Sequence, residues 1–277
     1  ALVDEHRPLH LSLVGGDPLV RYRELEVLLP LLSARGIHVQ VVTSAFRALP
    51  AEWAHIPGLN IVVSIDGLQP EHDVRRKPAT YERILKTTEA VPFTVHCTIT
   101  SQMMAREGYL EEFVEFWSAK PNVRRVWFSM FTPQLGAGDV EILNPEQRGR
   151  AIEELSRLRA KYSKLDLNAA MLREYANPPR SPKECIFART TTSISADLKT
   201  RIGPCQFGGR PDCSQCGCVA SMGLAALGHY QVMPGVTAGS LFRISEAVGS
   251  GVNRLRGRAQ AVELSDEDIR LRGQNAA

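Results

Sequence analysis

Short apolar runs alternate with longer amphipathic runs through the first 161 residues, and this alternation limits the chain to few folds. The apolar runs have the length and the Val and Ile content of strands: 9–14, 38–44, 60–66, 93–100 and 124–131. The amphipathic runs have the spacing of helices: 21–33, 51–55 (the weakest), 81–90, 109–118 and 145–161. Repeated strand-then-helix units predict an α/β fold with a mostly parallel sheet.

The predicted strands carry polar residues on one face. Side chains alternate between the two faces of a strand, so Thr94, His96 and Thr98 share one face and Cys97 lies on the other, where we interpret it as core. A polar inner face beside an apolar, helix-covered outer face favours a parallel barrel that holds a polar ligand at the carboxyl ends of its strands. The alternative is a sheet whose Ser and Thr side chains bond to nearby backbone.

The end of the first predicted strand has residues suited to ligand binding. Gly15 and Gly16 let a ligand approach the backbone, and Asp17 adds a carboxylate that can bind an ammonium group before Pro18. A plain strand-to-helix turn is the alternative.

A second strand end, in the run 60–66, carries Ser64, Asp66 and Gly67 at the edge where such barrels perform chemistry. A simple turn at Asp66 and Gly67 is again the alternative. His72 follows this turn, and we interpret it as a solvated or capping histidine.

Five of the six cysteines lie close together late in the chain: Cys185, Cys205, Cys213, Cys216 and Cys218. A Cys-x-x-Cys pair on a glycine-containing loop places two thiolates at one metal, and two more cysteines complete a four-thiolate shell. Zinc and iron–sulfur clusters both accept that shell, but structural zinc usually takes two such pairs and this chain has one. Buried free thiols are the alternative without a metal.

Charge and hydropathy narrow the choice of partners and compartment. The chain has 33 basic and 30 acidic residues, a balance of +3 that argues against a dedicated nucleic-acid binder. No apolar run reaches the roughly 18 residues of a membrane span, and no secretory signal is present. We expect a cytoplasmic protein with no membrane partner, and in that reducing compartment clustered cysteines bind metal more often than they form disulfides.

The regular alternation stops after Lys161. Residues 177–182 include one Asn and three Pro residues, which disfavour helix. Two short strands are predicted within 191–205, around a turn at 196–199. The predicted domains are a partial barrel at 1–165, a cysteine-rich domain at 166–240 and a helical tail at 241–277.

In this order, "GGDP" at 15–18, "SIDG" at 64–67 and the cysteine-rich segment 185–218 resemble the radical S-adenosylmethionine enzymes. The resemblance is closest to members with an auxiliary cluster domain of the SPASM or twitch type, and it covers about 9–218. It implies a partial (βα)6 TIM-like barrel followed by a small auxiliary-cluster domain.

The resemblance also implies where S-adenosylmethionine would bind. The turn at 15–18 matches one that binds the amino group of the cofactor, with Asp17 where the family usually has Glu. The positions that would line its carboxylate and ribose are Ser44, Ser64, Asp66 and Thr98. Residues 130–133 would contact its adenine.

Two 4Fe-4S clusters are implied by the same resemblance. The Cys-x-x-x-Cys-x-x-Cys loop that holds the family's catalytic cluster is absent from this sequence. We expect that loop and the first barrel strand upstream of Ala1; a degenerate, non-catalytic barrel is the alternative. The auxiliary cluster would take four of the five late cysteines, and which four is left open.

The implied activity is cleavage of S-adenosylmethionine to a 5′-deoxyadenosyl radical, which modifies a peptide or a small molecule. A flavodoxin or ferredoxin would donate the electron. Two other functions remain open: a zinc-stabilised, non-catalytic scaffold, and a phosphate-binding barrel enzyme that uses the turn at Gly15. The latter predicts basic residues at several strand ends, and the sequence has only Arg47 and 75–77 near such positions.

Overall fold

The computed structural model describes residues 1–255, which form two units, although the side chains of 246, 247 and 249–255 are not described. The first unit contains Ala1–Ser129 and Asn144–Leu167, and the second contains Met130–Leu143 and the described residues from 168 to 255. The domain boundaries set by sequence stay predictions. In the predicted tail, 256–277 lies outside the described residues.

The first unit is built on a five-stranded sheet whose strands follow one another in sequence order. Its strands are β1 (His10–Leu13), β2 (His38–Thr43), β3 (Leu59–Ser64), β4 (Phe93–Ile99) and β5 (Val123–Met130). The first three pairings are parallel, with Leu11 opposite Val39 and Val63 opposite Val95. The α/β class and the position of every predicted strand are confirmed, and the sheet is consistent with part of a TIM-like barrel.

Helices follow the strands of the first unit. They are α1 (Leu2–His6), α2 (Tyr22–Ala34), α3 (Gln69–Arg75), α4 (Tyr81–Thr87), α5 (Tyr109–Ser118) and α6 (Pro145–Lys161), with 3-10 turns at Pro18–Arg21, Ala51–His55 and Met103–Ala105. The predicted helix at 51–55 is therefore a 3-10 turn, and α3 was not predicted. α6 begins where expected, because Asn144 accepts a hydrogen bond from the Gln147 amide and Pro145 occupies the first helical position.

The outer face of the sheet is the apolar core. On β4, Val95, Cys97 and Ile99 are at most 1 % exposed, which confirms Cys97 as a core residue. Trp117 of α5 packs edge-on against Tyr81, and its indole Nε1 donates to the Tyr81 hydroxyl at 3.1 Å. This packing fixes α4 against α5, and Trp117 also packs edge-on against Phe93 at the start of β4.

The inner face carries polar side chains that bond across strands. Thr94 Oγ1 donates to Asn60 Oδ1 at 3.1 Å, and His96 Nε2 shares a hydrogen bond of 2.8 Å with Ser129 Oγ. Ser12 on β1 is exposed on the same side. The predicted polar face is thus present, and these bonds run between side chains of neighbouring strands, not to local backbone.

The second unit is built from short elements: α7 (Ala169–Ala176), α8 (Ile186–Thr190), β6 (Ser193–Ile194), β7 (Arg201–Ile202), α9 (Val219–Gly228), β8 (Gln231–Met233), β9 (Val236–Thr237) and α10 (Ala238–Leu255). β6 and β7 form the predicted antiparallel hairpin. Its turn is held by Asp197, whose carboxylate accepts from the amides of Lys199 and Thr200. Within 1–255 no helix has both the length and the apolar character that crossing a bilayer needs.

Candidate functional site

The turn after β1 is open on the side where a ligand would approach. Gly15 and Gly16 have φ angles of +82° and +54°, a region that residues with a Cβ rarely adopt. A Cβ built on either glycine meets no atom within 4 Å. The backbone therefore requires glycine at both positions, and free space lies next to the turn.

The Asp17 carboxylate is a hub of internal hydrogen bonds. Its Oδ1 accepts from the Leu19 amide at 3.0 Å and from Thr43 Oγ1 at 2.7 Å, and its Oδ2 accepts from the amide and the hydroxyl of Ser44. A carboxylate offers about four acceptor positions. Asp17 therefore joins the end of β1 to the end of β2, and an ammonium group could bind there only by sharing or displacing one of these donors.

The loop after β3 is fixed by buried polar contacts. Asp66 is 7 % exposed, and its Oδ2 accepts from Arg76 Nε at 2.7 Å. Gly67 has a φ of +102°, and a Cβ there would lie 2.6 Å from the Tyr109 hydroxyl oxygen. Since Ser64 ends β3 immediately before it, this loop sets the position of the Ser64 side chain at the strand edge.

His72 supports that loop through hydrogen bonds of its buried ring. The prediction that His72 is a solvated or capping residue is wrong. It is fully buried, its Nδ1 accepts from the Asp66 amide at 3.0 Å, and its Nε2 donates to the Ala79 carbonyl at 2.8 Å. These partners fix the neutral tautomer. Burial lowers the pKa of His72, which keeps the ring neutral at pH 7.

The predicted cofactor-binding residues of the first unit lie at the carboxyl ends of neighbouring strands. Those of the turn at 15–18 follow β1, Ser44 follows β2, Ser64 and Asp66 end β3 and its loop, and half-buried Thr98 lies near the end of β4. Because neighbouring strands run parallel, these strand ends lie along one edge of the sheet. The adenine segment 130–133 belongs to the second unit, with Met130 also ending β5.

Sequence reasoning placed His96 on the polar face but gave it no role. In the structure it is half-buried and bonded to Ser129, and burial lowers its pKa to about 4. A neutral imidazole and a hydroxyl therefore lie on the inner face, close to the strand ends. The alternation of polar residues in 93–100 was the signal that could have singled out His96.

All five late cysteines line one cavity in the second unit, and none forms a disulfide. Cys185 Sγ lies 3.1 Å from Ser221 Oγ, and Cys218 Sγ accepts from Gln206 Nε2 at 3.0 Å. The cavity has about 20 Å³ of space for the centre of a water molecule, which is room for roughly one water.

Gly217 positions two of these cysteines. Its amide donates to Thr132 Oγ1 and its carbonyl accepts from the Met130 amide, both at 2.9 Å. A Cβ at Gly217 would lie 2.2 Å from the Met130 carbonyl oxygen. Only glycine allows this close backbone pairing, which directs the flanking Cys216 and Cys218 to the cavity.

Three thiols of the cavity resist ionisation. Burial raises the pKa of Cys213 to about 11 and that of Cys218 to about 12, and it also raises the pKa of Cys205. Negative charge on nearby cysteines adds to each shift, since several thiolates in one cavity repel one another. These three thiols are therefore protonated at neutral pH unless a cation compensates the thiolates.

The five cysteines line one cavity, but they are not grouped around a single metal position. Among the residues that the structure describes, no three Cys, His, Asp or Glu side chains are grouped so as to hold one metal ion. Soft thiolate donors suit zinc and iron–sulfur clusters alike.

No family model matches the sequence, and no curated protein does. Solved structures similar to this chain include radical S-adenosylmethionine enzymes. Native anSMEcpe with bound AdoMet and a Cp18Cys peptide is 15% identical, with a TM-score of 0.44 over 54% of this chain and 46% of that one.

Two further structures are similar. Streptococcus suis SuiB bound to S-adenosylmethionine is 15% identical, with a TM-score of 0.46 over 68% of this chain and 43% of that one. TYW1 with a lysine-pyruvate adduct is 18% identical, with a TM-score of 0.38 over 53% of this chain and 50% of that one. The chain spans about half the length of these proteins. At these identities and scores the likenesses are distant, and the ligands named are those of the other proteins.

Proposed function

We propose that this chain is part of a radical S-adenosylmethionine enzyme that modifies a peptide or a small molecule. In this proposal the first unit binds S-adenosylmethionine, and the second unit binds an auxiliary 4Fe-4S cluster. The observation that carries the proposal is the convergence of Cys185, Cys205, Cys213, Cys216 and Cys218 on one cavity. A cytoplasmic location and a flavodoxin or ferredoxin donor belong to the same proposal; the location rests on the hydropathy of the sequence and the donor on the sequence resemblance.

The strand edge of the first unit supplies the groups for a zwitterionic, ribose-bearing ligand. The open turn at Gly15 and Gly16 exposes backbone, and Asp17 holds the Ser44 hydroxyl at the next strand end. A buried polar ligand needs a partner for each of its polar groups. Ser64 and Thr98 add hydroxyls along the same edge.

S-adenosylmethionine, together with a catalytic 4Fe-4S cluster, would supply hydrogen-atom abstraction. The residues of this chain bind and orient. His96 is neutral because burial lowers its pKa to about 4, so it offers hydrogen bonds without adding positive charge beside a sulfonium.

The glycine turn gives a direct test of cofactor binding. Gly16→Ala introduces a Cβ at a φ of +54°, which strains the turn and fills the space beside it. Equilibrium dialysis of the chain with S-adenosylmethionine should show saturable binding that weakens by roughly tenfold or more in this variant.

Gly36→Ala is the matched control, because Gly36 has a φ of +71°, has open space around it, and follows the end of α2. It carries the same backbone strain away from the strand edge. Equal loss of binding in both variants, or absence of saturable binding by the unaltered chain, would contradict the proposed cofactor site.

We further propose that Cys185, Cys205, Cys213 and Cys216 hold the auxiliary cluster, with Cys218 outside the ligand set. Cys213 interacts electrostatically with the other three ligands, all of which raise its pKa. Cys218 is 4 % exposed, and its sulfur already accepts a hydrogen bond from Gln206. Cys218 would then hold the loop in place through its hydrogen bond with Gln206.

A ligand role for Cys213 and a supporting role for Cys218 predict different iron contents in the two variants. After anoxic reconstitution with iron and sulfide, Cys213→Ser should lose most cluster iron, whereas Cys218→Ala should keep most of it. Cys97→Ala, a change in the core of the first unit, is the control for effects of removing any thiol. Unchanged iron in Cys213→Ser, or loss equal to it in Cys218→Ala, refutes this division.

A further inference from the structure

The second unit contains a larger cavity that the proposed function does not use. It has a volume of about 610 Å³, within the range of small-molecule sites. Its walls come from the end of α7, the segment 177–180, α8, α9 and the start of α10. A cavity of this size, bounded by five segments, is large enough for a ligand of ten to twenty heavy atoms, on the order of a drug fragment or metabolite.

The charged lining of this cavity favours an anion. Three arginines line it, Arg180, Arg189 and Arg243, against two acids, Glu174 and Glu184. Both acids already have partners within the protein. Glu174 lies 3.4 Å from His229 Nε2, and Glu184 Oε2 accepts from the backbone amide of Arg180 at 3.0 Å.

Arg180 and Arg243 are both exposed residues that line the cavity, Arg180 from the segment before α8 and Arg243 from α10. Guanidinium groups bind carboxylate and phosphate through paired, charge-assisted hydrogen bonds. Glu174 and Glu184 have their partners within the lining, at His229 and at the Arg180 amide, and the exposed side chains of Arg180 and Arg243 can receive an anionic group.

Part of the remaining lining is apolar, and part of it adjoins the cysteine cavity. Pro178, Ile186 and Phe242 provide apolar wall. Cys185 and Ser221 line both this cavity and the cysteine cavity, so the two share a wall. A ligand that fills the larger cavity therefore reaches the far side of Cys185.

We infer that this cavity binds an organic anion, whose carboxylate or phosphate is held by Arg180 and Arg243 and whose apolar body lies against Ile186 and Phe242. Binding needs neither S-adenosylmethionine nor a cluster, so the inference stands apart from the proposed function. Through the shared wall at Cys185, an occupied cavity would shield the cysteines from solvent on that side.

Two glycines in the lining provide a local readout. Gly228 of α9 and Gly239 of α10 both line the cavity and lie in close contact, since a Cβ at Gly239 would be 2.9 Å from the Gly228 carbonyl oxygen. Their backbone amide signals in a ¹⁵N NMR spectrum report on the cavity and on no part of the first unit.

The test is titration of the 277-residue chain with benzoate and with phenyl phosphate, followed at these two amides. Saturable shifts with one or both are expected; the stronger of the two identifies a carboxylate or a phosphate as the preferred group. Benzyl alcohol, which is uncharged, and inorganic phosphate, which lacks an apolar body, should bind at least several-fold more weakly.

Arg180→Gln combined with Arg243→Gln should weaken binding by roughly tenfold or more. The matched control, Arg201→Gln combined with Arg210→Gln, removes the same charge from exposed positions of the second unit that do not line the cavity. Absence of saturable shifts with both anions, or equal weakening in the control, overturns the inference; preserved glycine signals confirm that each variant is folded.

Discussion

At the scale of residues, the carboxylate of Asp17 does structural work that its sequence context does not reveal. Four donors from Leu19, Thr43 and Ser44 converge on it. Asp17→Asn replaces one acceptor oxygen by a donor, so at least one of these groups loses its partner. We expect the free energy of unfolding in urea to fall by about 1–3 kcal/mol.

Glu26→Gln, an acidic-to-amide change at an exposed position of α2, is the control and should change stability by no more than about 0.5 kcal/mol. Unaltered stability in Asp17→Asn would show that these four hydrogen bonds do not hold the strand ends together.

His96 makes stability depend on pH. Burial lowers its pKa from 6.5 to about 4, so between these values the unfolded chain binds more protons than the folded one, and stability falls as the pH is lowered through this window. Buried His72, whose pKa is also lowered, acts in the same direction. Urea unfolding between pH 7 and pH 5 should show this loss.

His96→Asn removes one titrating group and keeps a polar partner for Ser129, so its stability should fall less steeply over the same range. Identical slopes in the variant and the unaltered chain would contradict the assignment of a lowered pKa to His96.

At the scale of elements, the loop that carries Cys216 and Cys218 depends on Gly217. Gly217→Ala places a Cβ 2.2 Å from the Met130 carbonyl oxygen, so the loop must move away from Met130 and Thr132. Such overpacking costs about 1–3 kcal/mol. We expect both lower stability and a lower iron content after reconstitution.

Gly149→Ala is the control, and its expected effect on stability has the opposite sign. Gly149 lies within α6 with no atom within 4 Å of an added Cβ, so alanine should stabilise the helix by about 0.5–1 kcal/mol and leave iron content unchanged. If Gly217→Ala kept full iron content, the close pairing at Met130 would not be what directs the cysteines.

The elements that sequence predicted correctly are those with strong local signals. The five strands of the first unit are apolar and β-branched, and α6 has its cap at Asn144. The weak run at 51–55 forms a 3-10 turn. α3 and α9 carry weak or uniform hydropathy patterns, and their positions depend on tertiary contacts such as that of His72 with Asp66.

At the scale of the whole molecule, each of the two units is built from two separate segments of the sequence. Met130 ends β5 and 131–143 follow it directly, yet all of them belong to the second unit. The pairings that place them there join Met130 to Gly217 and Leu135 to Arg210, and no local periodicity encodes contacts over such separations. The strand-end residues could be predicted because parallel strands bring their ends to one edge; the hub at Asp17 and the large arginine-lined cavity could not.

The content of the cysteine cavity decides between the functions considered for the molecule. Thiols with raised pKa values must lose protons to bind a metal, so metal loading should release protons and improve as the pH is raised from 6 to 8. A zinc scaffold and an iron–sulfur protein share this behaviour, and they differ in the metal bound.

Iron, acid-labile sulfide and zinc should therefore be measured per chain after anoxic reconstitution, together with the visible absorption spectrum. The account predicts about four iron and four sulfide per chain with a visible chromophore. One zinc per chain, with neither sulfide nor chromophore, would contradict it.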